Sequence, residues 1–221
     1  MTLSAIYAVA YNGFLVLGWS VVLWRSALSL LDYKENGLRT FYADVENSLK
    51  VSQTLAVLEI VHAALGLFSS GVFLTAFQVA SRLFLLWGVT NLGGLPVQQH
   101  YGVVLMVLAW TITEIIRYSF YGLTVCNKLP YCLKWCRYSF FIVLYPVGVA
   151  GELLLIFKLM GMPKVTEMMS LRMPNKLNFA FDFYWFLWFV LLLYPIIFPQ
   201  LYGHMFQQRR KKIGEQEKKT E

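Results

Sequence analysis

Apolar residues fall in long runs along this chain, not in alternation or in single helical stripes. The runs at 5–24, 51–68, 72–92, 102–121, 137–159 and 179–206 each approach the roughly 20 residues that a helix needs to cross a bilayer. In lipid the backbone must satisfy its own hydrogen bonds, so six runs of this kind predict an all-α, six-transmembrane-helix bundle. The first run starts close to the terminus with no basic stretch before it, so it reads as a span and not a cleaved signal. Between the runs lie a polar segment at 25–50, a tight turn at Ser69-Ser70-Gly71, a short loop at 93–101, a cysteine-bearing loop at 122–136 and a polar loop at 158–176. Pro195 and Pro199 are expected to kink or end the last span. No internal repeat is visible.

Composition strengthens this picture. Hydrophobic residues make up 58% of the chain and charged ones only 14%, against about a quarter in soluble domains. One polytopic membrane domain is expected at 1–206, followed by a charged tail at 207–221. The net charge of +7 is concentrated in that tail and in short loops, with no basic–aromatic groove for nucleic acid. Arg209, Arg210, Lys211 and Lys212 directly follow the last run and mark its end as cytosolic, and six spans then put both termini in the cytosol. Arg25, Lys34, Arg39, Lys50, Lys158, Lys164, Arg172 and Lys176 fall on the lumenal side in that topology and do not favour it. The terminal Lys218-Lys219 resembles the dilysine retrieval signal of the endoplasmic reticulum. Cys126, Cys132 and Cys136 share one loop without a fourth ligand nearby, so neither a disulfide framework nor a metal site is expected.

Ionisable residues inside the apolar runs are the candidate chemistry, because each is costly unless paired or used. Tyr145 and Glu152 are seven residues apart, hence on one helix face about 10 Å apart along the axis. Glu59, Arg82, Glu114 and Tyr145 fall at similar depths on four spans, with Arg117 nearer the cytosol and Glu152 nearer the lumen. Antiparallel neighbours suggest a Glu59–Arg82 pair, and spacing suggests a Glu114–Arg117 pair. Both pairs suit either a scaffold or the wall of a polar cavity, and Glu152 suits either chemistry or interhelical glue. His62 reads as a core histidine, and His100 and His204 as residues of helix ends. Pro146, Gly148 and Gly151 suggest a kinked helix with room for a substrate chain, or else close helix packing. There are no histidine boxes, phosphate loop, zinc motif or nucleophile elbow. Acid–base chemistry by a phenol and a carboxylate, without cofactor or metal, is what is left.

The segments VLEIVHAALGL, SRLFLLWG, WTITEIIRYSFYG, RYSFFIVLYPVGVAGE and LRMPNKLNFAFDF resemble the very-long-chain (3R)-3-hydroxyacyl-CoA dehydratases, the protein-tyrosine-phosphatase-like A family, over about 43–184. The resemblance implies Tyr145 and Glu152 as the catalytic pair, with Arg82, Glu114, Arg117, Arg137 and Gly148 in support. It implies dehydration of a 3-hydroxyacyl-CoA to a trans-2-enoyl-CoA in the fatty-acid elongation cycle. The expected setting is the membrane of the endoplasmic reticulum, beside a condensing enzyme, a ketoacyl-CoA reductase and an enoyl-CoA reductase. Which of the pair is the acid stays open. Arg137 and the loop lysines are candidates to receive CoA phosphates. Phosphatase activity is not expected: Cys132 and Arg137 are separated by four residues, not the five of a Cys-x5-Arg loop. A non-catalytic dehydratase-like scaffold is the alternative; a transporter lacks its usual repeats.

Overall fold

The computed structural model describes residues 2–32, 38–66, 71–165, 167–171, 173 and 179–217. Expectations placed on Lys34, Phe68, Ser69, Ser70, Arg172, Pro174, Lys176 and Lys218 to Glu221 lie outside the described residues. The described chain is helical, with an isolated antiparallel bridge between Leu171 and Phe181.

Helix α1, Leu3–Leu31, starts at Thr2, whose side chain accepts a hydrogen bond from the Ala5 amide. It buries Ala8, Asn12, Leu15, Trp19, Val22, Ser26 and Ser29, one stripe at helical spacing. Its outer face carries Phe14, Leu17, Val21, Trp24 and Leu28, all exposed. So many bare apolar side chains around one helix suit lipid and not water. Among the described residues four helices are long and apolar enough to cross a membrane: Leu3–Leu31, Tyr101–Val125, Phe141–Met160 and Phe183–Gly214.

The other two expected spans, 51–68 and 72–92, are not among these; their described residues lie in shorter helices. Helices α2, Phe41–Leu55, and α3, Val57–Ala64, meet at Ala56. Helix α4, Val72–Leu83, runs into a π-helical segment, Phe84–Asn91, and then α5, Leu92–Gln98. The wider π turn is accompanied by a Thr90 hydroxyl donating to the Leu85 carbonyl at 2.9 Å. The loop expected at 93–101 therefore begins as helix, broken at Gly94, whose φ of 61° suits glycine.

Helix α6, Tyr101–Val125, is the central element and packs against α1 and against α8, Phe141–Met160. His100 caps α6 by accepting from the Gly102 amide. The short helix α7, Tyr131–Ser139, occupies the end of the cysteine loop and turns into α8 at Phe140. The last helix, α9, is Phe183–Glu217; Asp182 caps it by accepting from the amides of Tyr184 and Trp185. Pro195 and Pro199 lie inside α9 and do not end it.

The crossing of α6 and α8 is set by glycine. A Cβ built on Gly151 would lie 2.6 Å from the Met106 amide nitrogen and 2.7 Å from the Gly102 carbonyl oxygen. The room expected beside Gly148 and Gly151 is thus filled by α6 and is not open to a substrate chain, because without side chains the two backbones come into contact. Gly151→Ala is expected to destabilise the fold by about 1–3 kcal/mol, the usual cost of overpacking. Gly13→Ala, where nothing lies within 4 Å, is expected to be neutral or slightly stabilising. Thermal unfolding in detergent of the two variants checks the contrast.

Candidate active site

Trp110, Glu114, Arg117 and Tyr118 fall at helical spacing on α6 and share a face. At its centre is Glu114, 1% exposed. One of its oxygens accepts from the Arg82 guanidinium of α4, and the other from Arg117 Nε at 2.8 Å. Arg117 then forks onto Glu59 of α3, with Nη1 to Oε2 at 2.9 Å and Nη2 to Oε1 at 2.7 Å. The Tyr118 hydroxyl also donates to Glu59. The expected Glu114–Arg117 pair is present, but the expected Glu59–Arg82 pair is not. Arg82 turns to α6, and Arg117 has enough donors to serve both carboxylates at once. Two carboxylates and two guanidiniums make this cluster neutral, which lowers the cost of burying Glu114 at its centre. Next to it, His62 is a core residue, its Nε2 2.8 Å from the Tyr7 hydroxyl.

Arg82 links this cluster to Glu152. Its guanidinium lies over the Trp110 ring, 5.3 Å from the centroid. The Trp110 indole nitrogen donates to Glu152 Oε1 at 2.8 Å, and the Tyr194 hydroxyl of α9 donates to Oε2 at 2.8 Å. Gly148 lies beside this ring: its Cβ position is 3.4 Å from Ala109 Cβ and 3.9 Å from Trp110 Cδ1, ordinary packing distances.

Tyr145 stands nearer the start of α8. Its ring stacks on Phe198 at 5.0 Å, with planes 2° apart, and on Tyr202 at 6.0 Å. Tyr202 is itself held by donating to the Ile142 carbonyl at 2.9 Å. Among the described residues the Tyr145 hydroxyl takes no hydrogen bond. Tyr145 and Glu152 are thus held by different parts of α9, two turns of α8 apart, which is about 10 Å along its axis.

The structure therefore brings Arg82, Glu114, Arg117, Gly148 and Glu152 into one connected set, with Tyr145 at its edge. Arg137 lies apart, on α7, over the Tyr121 ring at 6.0 Å. Trp110 and Tyr194 were missed in the sequence, where an aromatic inside an apolar run reads as core. Two faint signals exist: Trp110 is one helical turn before Glu114, and Leu193-Tyr194-Pro195 repeats the Leu144-Tyr145-Pro146 triplet. Among the described residues no group of three His, Cys, Asp or Glu side chains is arranged to hold a metal ion. The three cysteines are free thiols, and burial pushes the Cys136 thiol up, with the neighbouring Cys132 adding to the effect.

The family described as protein tyrosine phosphatase-like protein, PTPLA, matches residues 53–215. The chain is similar to the human very-long-chain (3R)-3-hydroxyacyl-CoA dehydratase 2, 47% identical across 99% of this chain and 86% of that protein. It is similar to the Caenorhabditis elegans very-long-chain (3R)-3-hydroxyacyl-CoA dehydratase hpo-8, 44% identical across 97% of this chain and 98% of the relative. The Arabidopsis thaliana very-long-chain (3R)-3-hydroxyacyl-CoA dehydratase PASTICCINO 2 is 41% identical across 95% and 93%. No solved structure matches the chain.

Arg117 is the shared partner of Glu59 and Glu114, whose side chains are 13% and 1% exposed. Arg117→Ala leaves both carboxylates short of a counter-charge and is expected to cost about 3–5 kcal/mol. Loss of folded protein in detergent extracts, measured against wild type, checks this.

Proposed function

The chain belongs to the protein tyrosine phosphatase-like family, PTPLA, and from that premise we infer that it is a hydro-lyase acting on acyl-CoA. It dehydrates a (3R)-3-hydroxyacyl-CoA to the trans-2-enoyl-CoA, the third step of very-long-chain fatty-acid elongation. The observation that carries this is identity above 40% along nearly the whole of several relatives so named, with Tyr145 and Glu152 both present.

We propose Glu152 as the base and Tyr145 as the acid. An indole N–H only donates, so Glu152 Oε1 must be accepting; the carboxylate meets its neighbours with lone pairs, as a base does. Glu152 takes a proton from C2, the electrons form the C2–C3 double bond, and the C3 hydroxyl leaves as water with the proton of Tyr145. The Tyr145 hydroxyl, with no hydrogen bond among the described residues, is available to the leaving group. Supporting roles fall to Arg82, Glu114 and Arg117, whose neutral cluster fixes the Trp110 ring, and to Gly148, which packs α8 against α6 beside that ring. Arg137 lies outside this set, with the loop lysines, where CoA phosphates would be met.

The proposed topology is six spans, with α2–α3 as the second and α4 to α5 as the third, and both termini in the cytosol of the endoplasmic-reticulum membrane. The nearly continuous helical course from Val72 to Gln98 and the basic run Arg209 to Lys212 support it. Residues 1–206 form the dehydratase domain in this reading and 207–221 its cytosolic tail. The substrate comes from a ketoacyl-CoA reductase, downstream of a condensing enzyme, and the product goes to an enoyl-CoA reductase.

Tyr145→Phe and Glu152→Gln remove only a hydroxyl and a charge, and each is expected to lose roughly 10²–10⁴ in kcat. The double variant is expected to be little worse than the worse single one, because both act on one transition state. Turnover of a 3-hydroxyacyl-CoA by purified protein checks both; near-normal kcat in Glu152→Gln would remove it from the mechanism. A tag placed after Glu221 is expected to be digested by protease added to sealed microsomes. Its protection would overturn the cytosolic termini.

A further inference from the structure

Glu152 is the acceptor in two hydrogen bonds from two different helices, and neither donor is charged. Trp110 reaches Oε1 from α6 and Tyr194 reaches Oε2 from α9, both at 2.8 Å. One donor on each oxygen fixes both the position of the carboxylate and its rotation about its own axis. Neither donor is itself loose. Trp110 is 4% exposed and lies under the Arg82 guanidinium, which is tied to the buried Glu114. Tyr194 stands one turn of α9 before Phe198, the residue on which Tyr145 stacks. The same stretch of α9 therefore contacts both side chains, Glu152 through Tyr194 and Tyr145 through Phe198.

We propose that Trp110 and Tyr194 are positioning residues of the dehydration, holding Glu152 so that one lone pair is aimed at the C2 proton of the substrate. This rests on the reading of Glu152 as the base. Side-chain placement matters here because a carboxylate on a flexible stem, set about 10 Å along α8 from its partner, reaches productive geometry only if its rotamer is locked. Neutral donors suit the task. A cation in direct contact would bind the carboxylate in its charged form and oppose proton uptake, whereas an indole and a phenol orient it at smaller electrostatic cost. The guanidinium of Arg82 acts at one remove, through the Trp110 ring.

Tyr194→Phe and Trp110→Phe each delete one donor and keep an aromatic ring in place, beneath Arg82 in the second case. Each is expected to lower kcat about 10- to 100-fold, the usual worth of a hydrogen bond to a charged group, with KM for the 3-hydroxyacyl-CoA unchanged. In a Glu152→Gln background, Tyr194→Phe is expected to add almost nothing to the loss, because its effect passes through Glu152. Full kcat in a folded Tyr194→Phe protein beside an inactive Glu152→Gln would overturn the proposal. So would a Tyr194→Phe loss that adds in full to that of Glu152→Gln. Should Tyr194→Phe not fold, Trp110→Phe gives the same cycle. Full activity in Glu152→Gln is a different failure: it removes the base and not its positioning.

Discussion

A carboxylate that cannot reach water must be given its partners by the protein, and Glu114 is where that constraint is most severe. Its side chain is 1% exposed, and it is shared between two guanidiniums on different helices. Each sharing is also a tie between elements: Arg82 brings α4 to α6, and Arg117 brings α3 to α6 through Glu59. Removing one partner from such a group exposes the desolvation cost of the rest. The cluster therefore fixes how α3 and α4, neither long enough alone to cross the bilayer, stand against the central helix.

The second constraint is steric and sits at the α6–α8 crossing. Gly151 brings the α8 backbone within contact of Met106 and Gly102, and Gly148, one turn earlier, packs at ordinary distance against Ala109 and the edge of Trp110. The close approach of the two helices thus sits beside the residue that donates to Glu152. The electrostatic cluster and the glycine crossing converge on Trp110, which touches Arg82 by its face and Glu152 by its nitrogen. Packing and chemistry are not separable at this residue.

Much of this was legible in the sequence because hydropathy reports directly on lipid. The first and fourth runs reappear as α1 and α6, with ends shifted by a few residues, and the i, i+3 relation of Glu114 and Arg117 is intrinsic to one helix. The partner of Arg82 was not legible, because it depends on how far α4 is rotated about its own axis, and nothing local to SRLF determines that. The breaks at Ala56 and in the π segment were hidden for a related reason: both fall inside apolar runs with no glycine or proline at the point where the helical path changes at Ala56 or begins to change at Phe84. Trp110 and Tyr194 were invisible as donors because in an apolar run an aromatic residue is chosen for its surface far more often than for its N–H or O–H.

Glu59, Glu114 and Glu152 lie within the apolar runs, and their surroundings divide them. Glu59 and Glu114 are held by arginine, in a cluster whose charges cancel. A proton added to either would unbalance that cluster, so both are suited to keeping one charge state throughout. Glu152 is held by an indole and a phenol, and the Arg82 guanidinium lies over the face of that indole without a hydrogen bond to Glu152 among the described residues. Taking up a proton breaks no ion pair at Glu152, and the protonated carboxyl keeps acceptor lone pairs for its neighbours. In the mechanism proposed above a base must gain and lose a proton in every turnover, and the surroundings of Glu152 suit that exchange better than those of Glu59 and Glu114, whose charges are committed to arginine.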